Sequence, residues 1–473
     1  MNTLLKHDKE NFSSILSKTL SIAEEYLEEK NSIPPGRFIP DIELTELPTK
    51  GIGATGALEF FKTNFAEKIT NSAGPRYFGF VTGGSTPASV AGDWLVSAYD
   101  QNACGSNDSI APQIERQTLH FLKQLFGIDT DYFGSFVTGA TVSNFVSLAI
   151  ARQWMGEQHG IDISTEGISN VPIKIISATP HSSILKSLSM LGIGRNAVVK
   201  INTLPDREAV DVTQLEKLLQ ESKHPVIVVA NAGTVNTVDF DDLQAIGNLK
   251  KKYNFWLHVD AAFGGFAATS DRFKHLMHGI NSADSITIDA HKWLNVPYDS
   301  AMQFTRHKKL QLKVFQNSAA YLGDPEKSPD FFHYTPENSR RFRALPAWFT
   351  LTAYGKEGHA EIVERNCDSA QYLGNLLEKD SPFRLLAPVR MNVVCFTLKE
   401  QTSFENIQAF LQAVRDDGRV FFTPTVYKGI PAIRAAISNW QTDRTDMDIA
   451  YIALTEVWKK FHREPKSIAG AHR

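Results

Sequence analysis

Apolar residues along this chain follow two rhythms. Between Asn11 and Lys30, Ile15, Leu16, Leu20, Ile22, Ala23, Tyr26 and Leu27 recur at helical spacing, and Asn31-Ser-Ile-Pro-Pro-Gly36 then breaks the pattern. Proline-punctuated, mixed segments run on to Pro75. From Gly134 onward the texture changes, and short apolar runs stand at Phe133–Thr138, Ile173–Ala178, Ala197–Ile201, Val226–Ala230, Trp256–Asp260 and Ser285–Asp289. Helical patterns at Ser143–Trp154, Val212–Ser222 and Asp241–Tyr253 alternate with them. Near-continuous apolar strands separated by helices predict an α/β fold, a mostly parallel sheet covered by helices on both faces. Ligands of such sheets sit at the carboxyl ends of the strands, so the residues just after each run matter most. A long helical pattern from Ala344 to about Leu377 follows, then Arg384–Leu398 and Phe421–Ile437 flanking a helix at Ile407–Asp416. These predict a smaller C-terminal α+β domain. Gly323–Ser339 is long, polar and rich in proline, the composition of a mobile loop.

The chain has 473 residues, more than one core supports, so it is expected to divide into domains. The divisions expected are 1–75, an N-terminal helical segment; 76–343, a large ligand-binding domain; and 344–473, a small C-terminal domain. Lys and Arg total 49 against 52 Asp and Glu, a formal charge of −3, which argues against a polyanion-binding surface and so against a nucleic-acid partner. Cys104, Cys367 and Cys395 form no paired motif, which argues against a disulfide scaffold or a cysteine-rich metal site. No hydrophobic signal core opens the chain and no run of apolar residues is long enough to span a membrane, so a cytoplasmic protein is expected.

Four strand-end motifs carry chemistry. Asp289-Ala-His-Lys-Trp293 puts Lys292 just past a strand with His291 beside it, where a partly desolvated amine can form a Schiff base. His258-Val-Asp-Ala-Ala-Phe-Gly-Gly265 ends the preceding strand on Asp260. A carboxylate there can cap a helix, bind a metal or hold a pyridine nitrogen protonated. One lysine and one aspartate at neighbouring strand ends are what pyridoxal phosphate (PLP) needs as an electron sink. Gly134-Ser-Phe-Val-Thr-Gly-Ala-Thr-Val-Ser-Asn144 reads as strand, turn and helix start, whose N–H groups and hydroxyls suit a phosphate, although such residues also cap ordinary helices. Ser177-Ala-Thr-Pro-His-Ser-Ser183 places His181 at a strand end, as a helix cap or as a ring stacked on a planar cofactor, and Asn231-Ala-Gly-Thr234 adds a strand-end hydroxyl.

Taken in order, GATVSN, TPHSS, NAGTVNTVDF, HVDAAFGG and DAHKW resemble the group II PLP-dependent amino acid decarboxylases, which include aromatic-amino-acid and glutamate enzymes. Ser339-Arg-Arg-Phe-Arg-Ala-Leu-Pro-Ala-Trp348, Ile433-Arg-Ala-Ala-Ile-Ser-Asn439 and Gly74-Pro-Arg-Tyr-Phe-Gly79 extend the likeness from Gly74 to Asn439. The resemblance implies a type I aminotransferase-like fold and a homodimer whose N-terminal segment wraps the partner. It implies Lys292 as the Schiff-base lysine, Asp260 as the partner of the pyridine nitrogen, and His181 and Ala262 on the two ring faces. Ala140, Thr141, Asp289 and His291 would surround the phosphate, Thr234 would lie near ring and substrate, and Phe80, Val81 and Thr82 would meet the amino acid substrate. The chain departs from the family at Gly74, where a histidine often stands, at Asp289, where some relatives have asparagine, and at the polar Asp100, Gln101 and Asn102. Counting back from Arg340 puts Phe331 where decarboxylases carry a proton-donating tyrosine, with His333 and Tyr334 close behind. The expected activity is decarboxylation of a small L-amino acid to its amine, with Lys292, His181, Asp260 and Tyr334 as catalytic residues. An aldehyde-forming oxidative outcome and a non-catalytic PLP-binding protein are the alternatives.

Overall fold

The computed structural model describes residues 1–105, 109–168, 171–317, 325–327, 330–379 and 381–463. Seven strands, β1 (Phe133–Val137), β2 (Ile175–Ser177), β3 (Val198–Lys200), β4 (Val226–Asn231), β5 (Phe255–Asp260), β6 (Ser285–Asp289) and β7 (Ala301–Thr305), form one sheet in the order β1-β7-β6-β5-β4-β2-β3. Every pairing from β3 across to β6 is parallel, and only β7 runs antiparallel, to both β6 and β1. The carboxyl ends of β1, β2, β4, β5 and β6 therefore share one edge. β4, β5 and β6 are buried along their whole length, as strands covered on both faces must be.

The six apolar runs each became a strand. β7 escaped the pattern because Gln303 and Thr305 interrupt it; Gln303 is fully buried and meets Ser135 and Gln311 instead of water. The helices α1 (Thr3–Glu10), α2 (Phe12–Glu29), α3 (Gly53–Asn64), α4 (Pro87–Tyr99), α5 (Ala111–Phe126) and α6 (Ala140–Gln158) lead up to and into this sheet. α6 lies over it with Ser143, Asn144, Val146 and Ser147 all buried. Among the described residues no helix is long and apolar enough to cross a membrane.

The C-terminal region holds a second, antiparallel sheet. Its strands β8 (Phe383–Leu385), β9 (Val393–Leu398), β10 (Thr423–Tyr427) and β11 (Ile430–Ala436) lie in the order β10-β11-β9-β8, so each of the two expected stretches splits in two. Phe383, Phe396, Phe410 and Leu454 join its core. The segment at residues 74–85 ties the two sheets together. Tyr77 stacks on Phe421 at 4.7 Å, Phe78 lies in the small sheet's core, and the Phe78 carbonyl accepts from the Ala436 N–H at 2.9 Å. Part of Gly323–Ser339 lies outside the described residues; of the rest, Phe331, His333 and Tyr334 are buried in their own chain.

Candidate active site

A cavity of about 960 Å³ opens at the shared strand edge, under the small sheet. It is lined by Ala140, His181, Thr234, Asp260, Ala262, His291 and Lys292, and also by Phe80, Val81 and Thr82. Each arrives for a local reason. β6 ends at Asp289 and turns directly into the single helical turn Ala290–Trp293. Trp293 is buried, with its indole N–H donating to Asn366 Oδ1 at 2.8 Å, and Lys292 projects into the cavity. Lys292 Nζ lies 5.7 Å from the centre of the Phe263 ring. Gly83 packs so closely that a Cβ there would stand 1.7 Å from the Lys292 carbonyl oxygen, which ties the Phe80–Thr82 turn to the lysine backbone. Phe80 itself has φ 54° and is 60% exposed.

Asp260, at the end of β5, is 6% exposed. Its Oδ1 accepts from the Ala262 N–H at 3.2 Å and its Oδ2 from the Asn144 side-chain amide at 3.1 Å. His181 caps the helix Ser182–Met190, its Nδ1 accepting from the Ser183 N–H at 3.2 Å. A neutral ring so bonded carries its proton on Nε2. Burial, the largest influence, shifts His181 toward that neutral form, and Asp260 opposes it.

The first intrahelical bond of α6 is Ser143 N–H to the Gly139 carbonyl, so the N–H groups ahead of it need other partners. Ala140 N–H finds Asp289 Oδ2 at 3.0 Å, and His291 Nε2 lies 3.1 Å from Asp289 Oδ1. Burial raises the pKa of the Asp289 carboxyl, and nearby His291 and Lys292 counter it. Ser300 stands next to this cradle, its N–H donating to His291 Nδ1 at 3.3 Å, while its hydroxyl is buried without a partner. Orphan hydroxyls at Ser300 and Thr82, a helix start, an amine and a carboxylate fit a phosphorylated, ring-bearing aldehyde such as PLP. Thr141 sits beside Ala140 without lining the cavity, and Asp289 lies just beneath it.

Tyr334 is not brought to this cavity. Its ring is 2% exposed, packed 4.6 Å from Phe133 at the start of β1, the opposite end of that strand from Val137 and the site. Phe331 is held between Arg340 and Arg116, at 4.9 and 5.5 Å. Asn102 accepts from the Arg340 N–H at 2.9 Å, and Asp100, Gln101 and Asn102 stay outside the lining.

Three lining or supporting residues carry no role predicted from the sequence, although Arg434 and Asn144 stand within the motifs Ile433–Asn439 and GATVSN; Glu208 stands in none. Arg434, on β11, lines the cavity at 7% exposure, donates to the Val235 carbonyl at 3.0 Å, and has no carboxylate at ion-pair distance among the described residues. Burial pulls its guanidinium down to about 10. Glu208 lines the cavity from a loop and accepts from Thr234 Oγ1 at 2.5 Å and Thr237 Oγ1 at 2.7 Å. Asn144 touches Asp260 from α6. Only co-placement in three dimensions singles these out.

Residues 45–399 match the pyridoxal-dependent decarboxylase conserved domain. An aromatic-L-amino-acid decarboxylase from Bacillus atrophaeus is 29% identical over 421 residues, 86% of each chain. A phenylacetaldehyde synthase from Petunia hybrida is 24% identical over 455 residues, covering 89% of this chain and 88% of its own. The structure of Oryza sativa TDC with PLP and tryptamine superposes with a TM-score of 0.86 at 20% identity, over 95% of this chain and 98% of that one. The chain belongs to the pyridoxal-dependent decarboxylase family, and is a PLP-dependent carboxy-lyase acting on amino acids.

Proposed function

We propose that the enzyme converts an L-amino acid to its amine and CO2, and the observation that carries this is Arg434. A guanidinium buried in a cavity without a carboxylate partner is costly unless an anion meets it, and the carboxylate of an amino acid is such an anion. Bound PLP supplies a sink for the electron pair left when CO2 departs. Lys292 would anchor it, Asp260 would keep a proton on the ring nitrogen facing it, and Ala140 and His291 would border its phosphate. Asp289 would shape that cradle by engaging the Ala140 N–H. Arg434 binds and orients the substrate carboxylate while Phe80, Val81 and Thr82 bound the substrate side. His181, with its Nε2–H toward the cavity, holds the proton that the substrate carbon receives after CO2 is lost. No role for Tyr334 in its own chain's cavity enters this scheme.

The placement of both Phe331 and Tyr334 beside Phe133, away from the cavity, favours a second reading. A carbanion left unprotonated reacts with oxygen; amino acid, O2 and water then give aldehyde, CO2, ammonia and hydrogen peroxide. The relative from Petunia hybrida is itself named an aldehyde synthase. Incubating the PLP-loaded enzyme with single amino acids, measuring CO2 and identifying products by mass separates the two. Amine without peroxide is expected; aldehyde and peroxide in step with CO2 would establish the second reading, and no CO2 from any amino acid would sink both. Borohydride reduction followed by peptide mapping should leave the cofactor on Lys292.

A further inference from the structure

Asp260 and His181 share one buried neighbour. The Asn144 amide nitrogen lies 3.1 Å from Asp260 Oδ2 and 3.0 Å from Ser183 Oγ, and Ser183 Oγ is 2.8 Å from His181 Nδ1. On its other side Asn144 Oδ1 is 2.9 Å from His258 Nε2. His258 Nδ1 is 2.9 Å from Ser285 Oγ, which in turn takes the Trp256 indole N–H at 3.0 Å. Asn144, His258 and Ser285 are fully buried and Trp256 is 1% exposed, so water does not compete for these bonds.

We propose that Asn144 is a positioning residue that sets the proton arrangement of both Asp260 and His181, and that Trp256, Ser285 and His258 fix which way its amide faces. Three members cannot reverse: a carboxylate only accepts, while an indole N–H and a backbone N–H only donate. Asp260 therefore requires the NH2 side of Asn144, which turns Oδ1 to His258 and demands a proton on His258 Nε2. The remaining ring nitrogen takes the Ser285 hydroxyl proton, and the Ser285 oxygen takes the Trp256 N–H. In the other direction Asn144 donates to Ser183 Oγ, whose hydroxyl donates to His181 Nδ1 alongside the Ser183 N–H. The His181 proton is then left on Nε2. Flipping the Asn144 amide sets two acceptors face to face at Asp260. Burial keeps His258 neutral, its pKa pushed down to about 4, as the arrangement requires.

The inference rests on Asp260 meeting the ring nitrogen of PLP, and the test separates the two. Apoprotein is titrated with PLP and with its analogue carrying C–H in place of the pyridine nitrogen, and the ratio of the two dissociation constants is the readout. Asn144→Ala, and the near-isosteric Asn144→Asp should the first not fold, are expected to cut the preference for PLP about ten-fold, the worth of a hydrogen bond to a charged group. His258→Phe should act in the same direction and His258→Gln, which keeps a donor facing Asn144, should restore much of it. Equal weakening of both ligands in Asn144→Ala marks a merely structural residue and overturns the proposal, as does an unchanged ratio. Asp260→Ala is the control. If it keeps the wild-type ratio, the Asp260 reading fails; if it loses the preference while Asn144→Ala keeps it, only the present proposal fails.

Discussion

A buried guanidinium and a few buried imidazoles set what single substitutions do here. Arg434→Leu removes the donor proposed to bind the substrate carboxylate while leaving Lys292 and Asp260 in place, so KM should rise and kcat/KM fall about 100-fold, the upper range for one charged hydrogen-bonding group. Steady-state kinetics on the identified substrate checks this, and an unchanged KM would remove Arg434 from the substrate site. Acid sensitivity follows from two other residues. His258 and His359 are both buried, with pKa values pushed down to about 4 by loss of hydration. Unfolding restores the ordinary value of about 6.5, so between these pH values the unfolded chain binds more protons and stability falls as pH falls, by up to about 3 kcal/mol per histidine. Asp241, raised to about 6 by burial, works the other way over about pH 6 to 4. Two histidines outweigh one carboxyl. Denaturant unfolding from pH 7 to 4.5 should show a net loss, and His359→Leu should flatten its slope by about one proton.

At the scale of elements, the long helix Ala344–Glu378 is interrupted at Gly355, with φ 58° and ψ −167°. That conformation is essentially reserved for glycine, and a Cβ there would meet nothing within 4 Å. The cost of Gly355→Ala is therefore conformational rather than steric. It should lower unfolding free energy by about 1–3 kcal/mol with kcat/KM retained, and an unchanged melting temperature would contradict the strain. β4, β5 and β6 announced themselves because burial on both faces demands unbroken apolar runs. β7 did not, since buried polar groups satisfied by neighbours look like loop residues when read in one dimension. The pair of expected C-terminal stretches resolved into four strands because turns such as the one after Tyr427 fall inside them.

At the scale of the molecule, α1 and α2 bury none of their residues in this chain, while Leu5, Phe12 and Leu16 are 64%, 61% and 53% exposed. Isolated terminal helices with an apolar face are only marginally stable in water. Exposed Phe80, Tyr298 and Val426 at the cavity rim add apolar surface that a second copy would cover. A homodimer is the expected state, with a mass by light scattering of twice the 52.6 kDa chain. Removing residues 1–30 should shift it toward monomer and loosen PLP binding, whereas a monomeric full chain at micromolar concentration would contradict it.

The sequence by itself determined the alternation of strands and helices, the strand edge at which the cavity opens, and the short motifs that carry Lys292, Asp260, His181 and His291. Those features are local: hydrophobic period fixes an element, and a strand end fixes where the next few side chains go. Tertiary structure alone decided the rest. It carried Arg434 from the small sheet and Glu208 from a loop into the same cavity, set Asn144 between Asp260 and His181, and turned Tyr334 toward Phe133 instead of Lys292. Those residues lie far apart along the chain, and their meeting depends on how two sheets and their covering helices pack, which no pattern along one segment encodes.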